Sequence, residues 1–148
     1  MSKQELDNLV KIGTLKAEPG TLAEFSGLLG SGRKRLADAR NESLADESRF
    51  DLAYGAAHAL ALAALRQHGY RSENRYAVFQ ALAHTTDLDA KIWRVLAKCH
   101  NERNLAEYEG RSEIDERLLA DLIDCATKLE AAVLALDPPT DPQARRAR

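Results

Sequence analysis

Residues 46–68, DESRFDLAYGAAHALALAALRQH, decide the fold. Leu52 to Leu65 is apolar on nearly every side of a 3.6-residue helix, which predicts a helix at the centre of a bundle rather than on its surface. Gly69 follows as a C-terminal stop. Gly55 and the alanines at 53, 56, 57, 59, 61, 63 and 64 let neighbouring backbones come close. One polar ridge interrupts this surface, with Asp51, Tyr54 and His58 at i, i+3 and i+7. His58 has two readings: a buried imidazole bonded to a neighbouring side chain or carbonyl, or a member of a pocket shared with the helix described next.

Residues 87–110, DLDAKIWRVLAKCHNERNLAEYEG, form the second informative stretch. Ile92, Leu96 and Cys99 share one face, and the same face continues into Arg103 and Ala106. A guanidinium in line with an apolar stripe must pair, reach a cleft or meet a partner chain. Asn104, Glu107 and Tyr108 follow, and Gly110 closes the helix. Arg103 and Glu107, at i and i+4, lie on one side, whereas Tyr108 points roughly 140° away.

The rest of the chain reads as helical too. Its four prolines stand at 19, 138, 139 and 142, so residues 20–137 contain none. Residues 2–12 suggest a short helix with Leu6, Leu9 and Val10 on one side, followed by a linker through residue 20. Thr21 and Glu24 have capping-box spacing, opening a helix to about Asn41. Gly27, Gly30 and Gly32 weaken its middle by up to about 1 kcal/mol each, and mark a kink or a close helix approach. Arg33, Lys34 and Arg35 make a basic run, read as a solvated face or as a phosphate contact. After a turn at 69–74, Val78, Phe79 and Leu82 point inward from a helix over 75–84, and Thr86 or Asp87 caps the next. Ser112 is the expected cap of the last helix, along which Ile114, Leu118, Leu122, Cys125, Leu129, Val133 and Leu136 form one stripe. The expectation is an all-α, up-and-down bundle of five to six helices. Its parts are a short helix and linker at 1–20, the bundle at 21–137, and a disordered proline- and arginine-bearing tail at 138–148.

Composition excludes several functions. Net charge is −2 and the pI about 6.1, so there is no global basic field, and any RNA contact must be local. The stretch from Leu52 to Leu65 is shorter than the roughly 20 residues of a membrane span, and the N-terminus lacks a signal-peptide pattern. Cys99 and Cys125 fall on apolar faces and read as small hydrophobes, so a cytoplasmic protein without membrane contact is expected. No phosphate loop, metal-ligand spacing or activated nucleophile is present in the sequence. No metal and no cofactor are therefore expected.

Two motifs, in this order and separation, give the chain a relative. RFDLAYGAAHALALAALRQHGYRSE resembles the second bundle helix of the HEPN superfamily with its following Gly-Tyr turn, and ERNLAEYEG resembles the "RNxxxxY"-type segment before the final helix. The likeness spans roughly Ser48 to Leu136. HEPN ribonucleases use an arginine followed after four to six residues by a histidine, paired across a two-fold dimer, without metal. Arg103 matches the arginine and Asn104 the polar residue after it. The histidine is replaced by Glu107 and Tyr108, and a phenol with a pKa near 10 is a poor substitute for an imidazole near 6.5.

The resemblance therefore implies a homodimeric, non-catalytic HEPN protein, associated with RNA or nucleotide or partnered with a minimal nucleotidyltransferase in a toxin–antitoxin pair. Arg103, Asn104 and Tyr108 are its motif residues, with Tyr108 as a modification target. Asp51, Tyr54, His58, His100 and Glu107 are the expected pocket lining. A metal-independent endoribonuclease using Arg103, with His100 or His58 in place of the missing histidine, is the alternative of a different class. A structural adaptor, with Arg103 paired to Glu107 or Asp51 as an internal strut, is the third.

Overall fold

The computed structural model describes residues 2–110 and 113–140. Helix α1 (Ser2–Lys11) leads through a two-residue strand β1 (Lys16–Ala17) to α2 (Leu22–Ala39) and α3 (Asp46–Gln67). A second short strand β2 (Tyr70–Arg71) precedes α4 (Arg75–Gln80), α5 (Leu82–Thr85), α6 (Ala90–Glu109) and α7 (Glu116–Leu134). This is an all-α bundle with α3 at its centre. The alanine-rich surface of α3 packs most extensively on α2 and α7, and it also touches α4, α5 and α6. Phe50, Leu60 and Leu65 from α3 meet Phe79, Leu96, Leu122, Leu129 and Val133 in one core. No helix among the described residues is long and apolar enough to cross a membrane.

Local chemistry explains where the elements begin and end. Thr21 Oγ1 accepts the Glu24 amide at 3.1 Å and opens α2. That helix runs unbroken through its glycines, and of the three only Gly32 marks a close approach: a Cβ there would lie 2.7 Å from Leu60 Cγ, whereas none would be met at Gly27 or Gly30. The helix expected over 75–84 is divided at Ala81 into α4 and α5. The cap of α6 is Asp89, not Thr86 or Asp87, because Thr86 closes the preceding turn by donating its hydroxyl to Leu82 O at 2.9 Å. Asp115 caps α7; the expected cap, Ser112, lies outside the described residues, as does the tail beyond Thr140. The linker and the turn after Gly69 are not bare connections, since Lys16 and Ala17 pair antiparallel with Arg71 and Tyr70.

Arg66 holds this end of the bundle together. Its side chain is only 3% exposed, yet every guanidinium nitrogen is satisfied. Nε donates to Glu24 Oε1 at 2.7 Å, Nη1 to the carbonyls of Glu18 at 2.8 Å and Tyr70 at 3.0 Å, and Nη2 to Pro19 O at 3.0 Å. Glu18 Oε2 adds an ion pair at 3.1 Å. One side chain thereby fixes the linker, α2 and β2 to α3. Gly20 sits against it so closely that a Cβ would be 2.5 Å from Arg66 O. Replacing Arg66 by leucine strands one buried carbonyl, two partly buried ones and a partly buried carboxylate, with an expected loss of about 3 kcal/mol in urea unfolding. Arg66→Lys recovers little of it, because an ammonium cannot reproduce the planar fork.

Candidate functional site

The polar ridge of α3 faces α6 and α4, and three arginines from different helices gather on it. Tyr54 is 1% exposed. Its ring is touched by Arg103 of α6, with Cζ 5.0 Å from the centroid, and by Arg75 of α4 at 5.6 Å. A buried ring face near a cation gains electrostatic stabilisation that water would screen. Arg35 of α2 reaches the same ridge because Gly55 leaves room: its Nη1 would lie only 3.0 Å from a Cβ at that position. Among the described residues neither Arg35 nor Arg75 has an ion-pair partner. Arg33, two residues before, is instead paired with Glu130 of α7 at 3.5 Å.

A hydrogen-bonded relay runs beside these cations. His100 Nδ1 lies 2.7 Å from Tyr54 Oη, and His100 Nε2 lies 3.2 Å from Asn104 Nδ2. With the amide nitrogen facing the ring, Nε2 accepts and Nδ1–H donates to the phenol; turning the amide over reverses the relay. Burial, followed by the neighbouring Arg75 and Arg103, lowers the His100 pKa from its ordinary value. Burial raises the Tyr54 phenol, with Arg75 and Arg103 opposing. His58 stands edge-on to Phe79, ring centroids 6.0 Å apart. Burial, with Arg75, Arg35 and His100 as further causes, pushes its pKa down to about 4. At neutral pH both imidazoles are uncharged, and the positive charge of the site comes from guanidinium alone. Tyr76, 40% exposed, lies against His100 with centroids 6.4 Å apart and offers an open ring.

Arg103 also borders a cleft of about 290 Å³. Phe50, Ala106 and Ile114 supply its apolar lining, and Glu47, Asp51 and Glu107 its carboxylates. Arg103 Nη2 is 3.2 Å from Glu107 Oε1, and Nε is 3.9 Å from Asp51 Oδ1. Those two carboxylates are 63% and 62% exposed, so the pairs are weak, and Nε is buried without a hydrogen bond. A strut built from such contacts holds little.

The residues singled out in the sequence thus separate into groups. Asp51, Glu107 and Arg103 line the cleft. Tyr54, His100 and Asn104 form the relay on the other side of Arg103. His58 lines neither and lies within the electrostatic reach of Arg35 and Arg75. Tyr108 is 92% exposed and takes no part in the relay or the cleft. Sequence reading missed Arg75 and Tyr76 at the start of α4 and the special position of Arg35; Gly55, one residue past Tyr54, was the available signal for a long side chain crossing α3. Among the described residues no three His, Cys, Asp or Glu side chains converge as a metal-binding set. No protein-family model, curated protein or solved structure matches the chain.

The depressed His58 pKa has a definite consequence for stability. Between pH about 6.5 and about 4 the unfolded chain takes up a proton at this position that the folded chain refuses, so stability present at neutral pH is lost as pH falls through that window. The loss is on the order of 2 kcal/mol after discounting for solvent at the partly exposed ring. Urea unfolding of wild type and His58→Gln between these limits checks it: the variant has the shallower pH slope, and NMR titration of His58 in the folded wild type shows a midpoint well below 6.

Proposed function

We propose that the chain is a non-catalytic, phosphate-recognising bundle of the HEPN type that binds RNA or nucleotide across the α3 ridge. What carries the reading is the gathering of Arg75 and Arg103 on the Tyr54 ring with Arg35 beside them at Gly55, two of the three without carboxylate partners. Guanidinium groups left unpaired beside neutral imidazoles suit a phosphate oxygen, which accepts from their planar forks. Tyr76 gives a base an open ring to stack on, and Asn104 an amide at the rim. Such a local patch serves a chain with a slightly negative total charge.

The absence of turnover rests on residues as well. The place that a motif histidine would take belongs to Glu107 and Tyr108, and Tyr108 projects into solvent. The one imidazole near Arg103, His100, has both nitrogens engaged in the relay. The exposed Tyr108 is instead suited to a partner's chemistry, in keeping with a minimal nucleotidyltransferase that modifies it in a cytoplasmic toxin–antitoxin pair. Leu105, 44% exposed and one turn before Tyr108, continues an outward face of α6 on which a homodimer partner would rest.

The test is titration of a labelled single-stranded RNA at several salt concentrations. Wild type is expected to bind saturably. Arg75→Gln and Arg35→Gln are each expected to bind about tenfold more weakly, with the log–log salt slope reduced by about 0.7 for each phosphate that is no longer neutralised. Equal binding by the variants, or none by wild type at low salt, overturns the reading. The same RNA incubated in EDTA is expected to stay intact. Cleavage that disappears in Arg103→Ala would establish the metal-independent ribonuclease in its place.

A further inference from the structure

The relay from Tyr54 to Asn104 can run in either direction along the same heavy atoms, and burial chooses between them. A phenol has one O–H donor, and Tyr54, 1% exposed, cannot give it to bulk water. Among the described residues the acceptor within reach of Tyr54 Oη is His100 Nδ1, at 2.7 Å. If Nδ1 held the ring proton, the hydroxyl proton would be left without an acceptor, at the full desolvation cost of a buried donor. If Nδ1 carries the lone pair, the hydroxyl donates to it and nothing is stranded. The side chain of Arg75 also acts on this hydroxyl. A guanidinium can only donate, so it takes up a lone pair of the phenol oxygen and leaves the proton to point at the imidazole.

Burial and the neighbouring guanidinium groups keep the His100 ring neutral, so its single proton then sits on Nε2, 3.2 Å from the Asn104 amide. An N–H needs an acceptor. The amide oxygen therefore turns toward the ring, and the amide nitrogen, with two donors, faces outward. Asn104 is exposed and follows Arg103 in the chain, and the open ring of Tyr76 lies against the same imidazole. We propose that Tyr54 is a positioning residue: its hydroxyl holds His100 as the Nε2–H tautomer, which turns the Asn104 NH₂ group outward to donate to an oxygen acceptor of the bound RNA. Arg75, Arg103 and Asn104 then present donors alone. The role at the rim rests on the RNA-binding reading, whereas the direction of the relay does not.

The experiment has two arms. In the first, long-range nitrogen–proton NMR of the full chain at neutral pH reads the His100 tautomer, with the resonances assigned from the spectrum of His100→Gln. A proton on Nε2 and a lone pair on Nδ1 are expected; a proton on Nδ1 overturns the proposal. Tyr54→Phe keeps the ring and loses the hydroxyl, and is expected to fold and to show resonances averaged between the two tautomers. A single unchanged tautomer in that variant overturns the role of Tyr54. In the second arm, wild type and variants are titrated with oligouridylate and oligocytidylate, whose bases differ at C4 by a carbonyl in place of an amino group. Asn104→Ala is expected to weaken oligouridylate binding about fivefold in the wild-type background and to change it little in Tyr54→Phe. An equal loss in both backgrounds overturns the proposal. A preference of wild type for oligouridylate assigns the accepted oxygen to the base, and equal binding of the two assigns it to phosphate. A preference for oligocytidylate overturns the proposal, because an amino group needs an acceptor. Binding of neither overturns the RNA-binding reading and with it the role of the rim, while the resonances decide the relay separately.

Discussion

The Arg66 guanidinium is the constraint on which the rest of the arrangement depends. A cation removed from water is tolerated only when its charge and all its donors are met, and here the partners come from α2, the linker and the strand after α3. Three backbone carbonyls that would otherwise face a buried corner are satisfied by the same group. The linker can therefore lie flat on the end of α3, with Gly20 in direct contact, and α2 is delivered at a fixed height along the central helix. That height places Gly32 over Leu60 and lets Arg35 reach Gly55. The candidate site thus inherits its geometry from a contact at the opposite end of α3.

Small residues make α3 a surface on which other helices deposit their long side chains. Alanine and glycine bury little area of their own, but they admit Phe79, Leu96 and Leu122 closely on the core sides, where dispersion and burial do most of the stabilising. On the remaining side the same smallness admits guanidinium groups. Tyr54 joins the two regimes. Its ring is part of the core, and its hydroxyl is the first group of the relay to His100 and Asn104. Arg75 and Arg103 oppose the burial that raises its pKa, and they add to the burial that lowers the pKa of His100, so the relay stays neutral beside a concentration of positive charge.

The arginine ridge lies toward the N-terminal half of α3, and a cavity lined by His68, His84 and Thr85 lies at its C-terminal end. At the N-terminal end of α3, the acidic cleft beside Arg103 draws part of that guanidinium's charge toward Asp51 and Glu107, leaving Arg35 and Arg75 as the less compensated pair.

Periodicity, the proline-free interior and the alanine-rich central stretch were sufficient to specify an all-α bundle, the order of its long helices and the inward stripes, because these follow from local propensity and from which side of each helix must leave water. The polar ridge of Asp51, Tyr54 and His58 and the anomalous Arg103 were legible for the same reason: each breaks an apolar pattern at a known helical spacing. Tertiary structure decided what those residues meet. Arg35 and Arg75 sit in ordinary charged surroundings in the sequence, and Arg66 reads as one more basic residue in a last turn. Only the packing of α2, α4 and the linker on α3 turns Arg66 into a buried clamp, sets Arg75 over the Tyr54 ring and lays Arg35 against Gly55. Which long side chains share a site is set by contacts between residues distant in the chain, and no local pattern records them.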